Sequence, residues 1–331
     1  MVCGSAARFE LNRMLFRNLF ASSALALEQY ADIDHFRESE RYVQAESIPL
    51  ASGGFSVLRA KLTLPSSVVS LVRTFPRIIN GYELSGRLVI VVPMSGVSSA
   101  RVNGNEIGQS LLLLKGSANC TVYEPEGRLV AVVSIDRKVL DRTWEGFGDG
   151  HVLLRLPAGK LIDLHLRIRG MLEFAAREPE AMAAHGVLDT MQGELFAALD
   201  DAMCLGEVRD AGSRSSLDRY KQIVDHIDRL ARVDPAANLN YEELAAGIGV
   251  SVRTLQAAVH RVCGSGVHHY SRLRRLWSVR RQLRTGTPGL TVKASALAHG
   301  FWHMSEFSNA YRTVFGELPS HTLAGARRRL A

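Results

Sequence analysis

Cysteine is scarce: the 331-residue chain has Cys3, Cys120, Cys204 and Cys263. None forms a C-x-x-C pair, so neither a disulfide framework nor a zinc finger is indicated. No histidine lies between His35 and His151, which leaves the strand-rich part without the clustered ligands a metal dioxygenase needs. Cys263 with His268 and His269 imitates a ligand cluster, but Cys263 falls on an apolar helix face and is read as packed. No Ser-His-Asp or Cys-His motif is present either, so an enzyme is not expected. Long apolar runs are also missing. The most hydrophobic N-terminal run, Met14 to Leu27, is broken by Arg17 and Asn18 and is too short to span a bilayer. Glu10 spoils a basic n-region, so Ser23-Ala24-Leu25-Ala26 reads as a helix start or mobile N-terminus rather than a cleavage site.

What remains is ordinary soluble composition, 47% hydrophobic and 22% charged. Its charge is unevenly spread. Residues 213–331 hold 18 Lys/Arg against 8 Asp/Glu, a net of +10, whereas the rest of the chain nets −3. A cationic module that can meet phosphate is thus joined to a mildly acidic one. Charge alone is equally compatible with a solvated basic surface.

Between about 40 and 150 the texture is that of strands. Phe55–Leu62 roughly alternates, while Leu88–Val92, Leu111–Leu114 and Leu129–Val133 are short apolar runs bounded by turn residues. Asn103-Gly104 is a hairpin turn, since both residues tolerate positive φ. Many short strands suggest a sandwich or barrel. From 157 to 206 the pattern is helical, with Leu161, Leu164, Ile168 and Leu172, then Leu188, Met191, Leu195, Leu199 and Met203, at spacings of three and four. The second stripe is either intrachain core, the default, or a surface that pairs subunits. Gly206 to Ser216 reads as a linker. The expected organisation is an extension at 1–39, a strand-rich unit at 40–156, a helical dimerisation or packing region at 157–206, a linker at 207–216 and a basic helical unit at 217–331. The fold class is α+β: an antiparallel barrel with helices, then an all-α domain.

The last ninety residues repeat one arrangement. Leu244-Ala245 is followed by Gly249 and the helical run Val252–Val259, and Ala296 by Gly300 and the run Met304–Arg312. Each reads as helix, glycine turn and second helix, a helix-turn-helix. Alanine lets two helices cross closely, and glycine takes the backbone geometry that ends the first. Two copies on the most basic stretch point to DNA.

Gly300–Arg312, continued by Phe315-Gly316-Glu317-Leu318-Pro319-Ser320, with Tyr270, Arg272, Arg275, Leu276 and Arg280, resembles the DNA-binding domain of the AraC/XylS transcription regulators. The ending Gly316–Leu323 is similar to the XylS branch. The resemblance is specific over 217–323 and looser over 40–150, where it implies a cupin-like sensor domain. It also implies an activator that pairs through its N-terminal part, binds directly repeated half-sites and works with RNA polymerase. Tyr270–Leu283 would be the helix holding two recognition helices about one DNA turn, roughly 34 Å, apart. Ser295 departs from a usual isoleucine, Val267 from a proline and Ser271 from a leucine. A buried serine must find a hydrogen bond, at a cost on the order of 1–3 kcal/mol if it does not.

Helical spacing turns Leu255, Ala258, Val259 and Val262 inward, leaving Arg253, Gln256, Ala257 and His260 for the groove. In the second unit Phe307, Ala310, Tyr311 and Val314 point in, leaving Met304, Ser305, Glu306, Ser308 and Asn309. Arg suits guanine, Gln adenine, Glu cytosine, and Met a thymine methyl. Arg312 is better placed for phosphate, as are arginines 272, 274, 275, 280 and 281 unless they pair with acids. Arg327–Arg329 could reach phosphate or form a basic tail. Trp144, Phe147, Phe55, Phe75 and Tyr82 are candidates for an apolar effector pocket or for simple core, and Arg73, Arg77 or Arg87 for its anion partner. The reading is a cytoplasmic, homodimeric, sequence-specific regulator of double-stranded promoter DNA controlled by a small organic effector, with no cofactor, no metal and no membrane. The alternative is a ligand-independent regulator whose N-terminal domain serves only dimerisation or protein contact.

Overall fold

The computed structural model describes residues 16, 18–40, 43–50, 56–95, 99–139, 149–208, 214–233 and 241–330. The first unit is an antiparallel sheet. Its strands are β1 (Leu25–Tyr30), β2 (Val43–Pro49), β3 (Val57–Thr63), β4 (Ser67–Arg73), β5 (Arg77–Pro93), β6 (Arg101–Val102), β7 (Asn105–Glu106), β8 (Leu111–Glu124), β9 (Leu129–Asp136), β10 (Gly150–Arg155) and β11 (Glu207–Val208). The main path runs β1-β3-β4-β9-β5-β8-β10-β11, with β2 added to β5 and the β6–β7 hairpin to β8. Asn103 and Gly104 make the expected turn, at φ 49° and 82°.

The short apolar runs have a simple cause: both faces of the sheet are covered. Leu111 and Leu113 join Val69, Leu71 and Ile90 in a core against helices, while Leu112 and Leu114 point to the other face. The covering helices are α2 (Ala158–Arg177) and α4 (Val187–Leu205). Leu161, Leu164, Ile168 and Leu172 pack there as the spacing predicts. Met191, Leu195, Leu199 and Met203 pack there too, so of the two readings of this stripe the structure favours the default one, intrachain core.

Two more readings change. Ser23–Ala26 leads into an edge strand rather than a helix, and β1 pairs along β3 from Leu25↔Leu62 to Tyr30↔Val57. The sheet therefore begins before residue 40. Helix α1 (Ile33–Ser39) follows, capped by Asp32 accepting from the Asp34 amide at 2.7 Å. Within the stretch read as linker, Glu207–Val208 pairs with β10. Phe55, Trp144 and Phe147 lie outside the described residues.

The second unit is helical: α5 (Arg214–Val233), α6 (Tyr241–Ile248), α7 (Val252–Cys263), α8 (Val267–Arg284), α9 (Val292–Ala298), α10 (Met304–Phe315) and α11 (Pro319–Leu330). A fourth helix of the first unit, α3 (Pro179–Met182), is a single turn between α2 and α4. The two units share apolar cores. Trp277, Leu273 and Val279 of α8 pack with Ile33, Phe36, Ile48 and Phe75, and Ile78 of β5 joins Val262 and Tyr270. Among the described residues no helix is long and apolar enough to cross a membrane.

Candidate nucleic-acid interface

Each of the two sequence repeats folds as a helix, a turn and a second helix: α6 with α7, and α9 with α10. Gly249 and Gly300 both sit at φ 73°, the left-handed geometry that closes the first helix and that a side chain would strain. Ser251 caps α7 by accepting from the Thr254 amide at 3.1 Å, and Thr291 caps α9 through the Ala294 amide at 3.1 Å. Leu255, Ala258, Val259 and Val262 are buried, as are Phe307, Tyr311 and Val314, while Ala310 is half-buried. On the opposite faces Arg253, Gln256, Ala257, His260, Ser305, Glu306, Asn309 and Arg312 are exposed, and Met304 and Ser308 half-buried. The expected reading residues thus lie together on two open faces.

Ser295 is fully buried and donates to Gln282 Oε1 on α8 at 2.6 Å, so its hydroxyl is satisfied and ties the second unit to the connecting helix. Val267 is buried, and Ser271 is buried with a hydroxyl that has no partner among the described residues. Cys263 is packed and burial pushes its thiol up. Trp302 belongs to the stretch that carries the resemblance. It is 72% exposed in the turn before α10.

The arginines of α8 divide by partner. Arg272 faces solvent, and Arg281, also exposed, lies 3.8 Å from Glu46. Arg275 lies over the Phe301 ring, 5.2 Å from its centroid, with Nη1 reaching the Gly300 carbonyl at 3.4 Å, so it braces the second turn. Arg274 and Arg280 are buried, which corrects any phosphate role for them. Arg280 donates to Asp34 Oδ2 at 2.7 and 3.0 Å, to Glu317 at 2.8 Å, and lies 4.8 Å over Phe315. Arg274 pairs with Glu46 and, at 3.1 Å, with Asp228, and Arg284 pairs with Asp34 and with Glu38 at 2.6 Å. Tyr270 donates to Asp228 at 2.7 Å. Burial, aided by the neighbouring Asp228 carboxylate, pushes the Tyr270 hydroxyl well up, so it stays a donor. These contacts join α8 to α1 and β2. Arg327 donates to the Leu290 carbonyl at 2.7 Å, and 327–329 continue α11 rather than forming a loose tail.

The remaining face of the sheet wraps a cavity of about 740 Å³. Val68, Val72, Val89, Val91, Leu112, Leu114, Val130 and Val132 form apolar wall, and Arg59, Lys61, Arg77 and Arg128 bring charge to it. Of the three arginines singled out earlier, only Arg77 lines it; of the described aromatics, Tyr82 does and Phe75 is core. Arg59 and Lys61, two apart on β3, share a face, which strand alternation could have revealed. Glu124 accepts from Arg77 at 2.7 Å and Arg128 at 2.7 Å. Burial alone would raise its carboxyl, but the two guanidiniums outweigh it and hold it at about 2. Arg128 Nη1 has no acceptor among the described residues. Arg232, from α5, also lines the cavity.

A family model described as a helix-turn-helix domain matches residues 244–325. The chain is similar to a XylDLEGF operon transcriptional activator of Pseudomonas putida, 26% identical over 202 residues, 60% of each chain. It is also similar to XylDLEGF operon transcriptional activator 2 of that organism, 35% identical over 106 residues, 32% of this chain and 65% of the relative. The chain belongs to the AraC/XylS family. A solved structure, a probable AraC family transcriptional regulator from Rhodopseudomonas palustris, is 31% identical over 32% of this chain and 98% of its own, with a TM-score of 0.30. The chain spans about 60% of the length of the first of these curated relatives. The AraC/XylS domain and these relatives are those of transcriptional regulators, not of enzymes.

Proposed function

We propose that the protein is a sequence-specific transcriptional activator that binds promoter half-sites as a homodimer, meets RNA polymerase there, and is controlled by a small organic effector in the sheet's cavity. The observation that carries the reading is the pair of helix-turn-helix units whose polar faces are open while their apolar faces are packed. Arg253 and Gln256 read bases from α7; Met304, Ser305, Glu306, Ser308 and Asn309 read them from α10. Ala257 and His260 complete the first face, and Arg312 holds phosphate.

Arg253→Ala and Gln256→Ala are each expected to relax base preference at one position, at about 1–3 kcal/mol per lost contact. Arg312→Ala should weaken all sequences alike and flatten the salt dependence. Binding to duplexes selected from a random library, and to scrambled versions at several salt concentrations, separates the two classes. Equal loss on every sequence for all three variants would refute the assignment.

The cavity's chemistry favours an organic anion. Arg37, Arg59, Lys61, Arg77, Arg128 and Arg232 line it against Glu40, Glu46 and Glu124, over an apolar wall. Arg232 belongs to the DNA-binding unit, and Glu46 both lines the cavity and pairs with Arg274, so an occupant acts on both units. An effector can shift DNA affinity only through its differential affinity for two arrangements, typically about 1–3 kcal/mol. In a thermal-shift screen of small carboxylates, an effector at 100 times its Kd should stabilise the protein by about 2.7 kcal/mol, and Lys61→Met should diminish the shift. No shift across the panel, with transcription unaffected by any of its members, would leave the ligand-independent reading.

A further inference from the structure

The two helix-turn-helix units keep the same register up to one position. Val250 and Phe301 close their turns alike, the first donating its backbone N–H to the Ala245 carbonyl at 2.9 Å and the second to the Ala296 carbonyl at 3.0 Å. In the first unit the next residue, Ser251, is already the N-cap of α7. In the second, Trp302 intervenes before His303, the N-cap of α10. The second turn is therefore one residue longer, and the added residue is a tryptophan.

The fold makes no use of that indole. Trp302 is 72% exposed and has no ring, cation or hydrogen-bond partner among the described residues, whereas Trp277 is 1% exposed in the core. The inward position of the turn belongs to Phe301, whose ring centroid lies 5.0 Å from that of Phe307. Arg275 braces this turn from behind through the Phe301 ring and the Gly300 carbonyl. Successive residues of extended backbone point to opposite sides. Trp302 is thus held away from the core, on the side where Ser305, Glu306 and Asn309 are open.

We propose that Trp302 seats the second unit on the DNA backbone, with its ring against a deoxyribose and its Nε1–H donating to a phosphate oxygen. The inference rests on the proposed DNA reading and adds a residue to it. A recognition helix enters the major groove by its N-terminal residues, which sets the residue two before Met304 at the groove's edge, among sugars and phosphates. An indole offers an apolar face and a single donor, which match a sugar and an acceptor-only phosphate. The first turn of α10 carries Glu306 and no cation, so its hold on the backbone at this end falls to a neutral group. The first unit has no counterpart, because the Ser251 hydroxyl accepts from its own helix at 3.1 Å. A contact of this kind positions the unit without reading sequence. Being uncharged, it displaces no counterion, which sets it apart from Arg312.

The test uses the full chain and a library-selected duplex. Trp302→Ala is expected to weaken binding by about 10-fold or more, and Trp302→Phe, which keeps a ring and loses the N–H, by less. Base preference, the slope of affinity against salt and the melting temperature should stay as in the wild type. A second readout is acrylamide quenching of tryptophan fluorescence. DNA should shield part of the wild-type emission, and Trp302→Phe, left with Trp144 and Trp277, should lose that shielding. Wild-type affinity in Trp302→Ala, with quenching that DNA does not change, would overturn the proposal. So would a Trp302→Ala protein that binds DNA normally but no longer drives transcription, which would assign the indole to a protein partner. A wild type that binds no duplex would fail one step earlier, at the DNA reading itself.

Discussion

Replacing Arg280 with alanine is expected to lower the unfolding free energy of the full-length protein by about 3–5 kcal/mol. Arg280 is 3% exposed and its guanidinium serves both units at once, with Asp34 on one side and Glu317, Tyr311 and Thr322 on the other. Truncation leaves the buried Asp34 with Arg284 and a 3.9 Å contact from Arg37, and leaves Glu317 with a hydroxyl donor from Thr322. A buried carboxylate that loses its bidentate partner is destabilised even where other cations remain, because part of its desolvation is no longer offset by attraction. Asp34→Asn, made in the other unit, should reproduce part of the loss. The double variant should fall short of the sum of the two singles, since the residues share one contact. Urea unfolding of the four proteins measures this. A loss under about 1 kcal/mol for Arg280→Ala would mean that the apolar contacts and the Arg274 and Arg284 pairs hold the two units without it.

The second large effect is on acid stability. Glu124 has a carboxyl held at about 2 against an ordinary 4.5. Its folded pKa is depressed, so the stability it contributes is fully present above about 4.5 and is lost as pH falls toward 2. The linkage amounts to about 3 kcal/mol. Asp228 works in the opposite direction, because burial raises its carboxyl despite Arg274, so the whole-protein profile mixes signs. A difference measurement removes that mixture. Glu124→Gln should be less stable than the wild type by a few kcal/mol at pH 7, since Arg77 and Arg128 lose their shared anion. The gap should narrow steadily between pH 4.5 and pH 2, as the wild-type carboxyl itself becomes neutral. A gap independent of pH in that range would show that Glu124 acts by packing and not by charge. Since both arginines line the cavity and lose a competing carboxylate, the variant should also change its response to an anionic effector.

Local pattern made the second unit legible. The three-and-four spacing of Leu255, Val259 and Val262, and of Phe307, Tyr311 and Val314, sorts inward from outward faces because a helix face is defined by residues within one or two turns. The turns at Gly249 and Gly300 were equally local, since only backbone geometry is at stake. Strand texture and the Asn103-Gly104 hairpin followed from the same short-range chemistry. The sorting of apolar stripes into core and surface did not. The Leu188–Met203 stripe and the exposed set Ile162, Leu166 and Phe174 look alike in sequence, and only the sheet beneath α4 and the open side of α2 tell them apart.

By itself, then, the sequence determined an α+β chain with a basic tandem helix-turn-helix module, its inward faces and its candidate reading residues. Tertiary structure alone decided which charges are free. Arg280 and Asp34 stand 246 residues apart, and nothing local to either announces that they meet. The cavity is likewise assembled from residues of β2, β3, β4, β5, β8, β9, α1 and α5. Periodicity reports a residue's direction on its own element. Pairing of charges and enclosure of space depend on which elements are brought together, and that is settled by the packing of the whole chain.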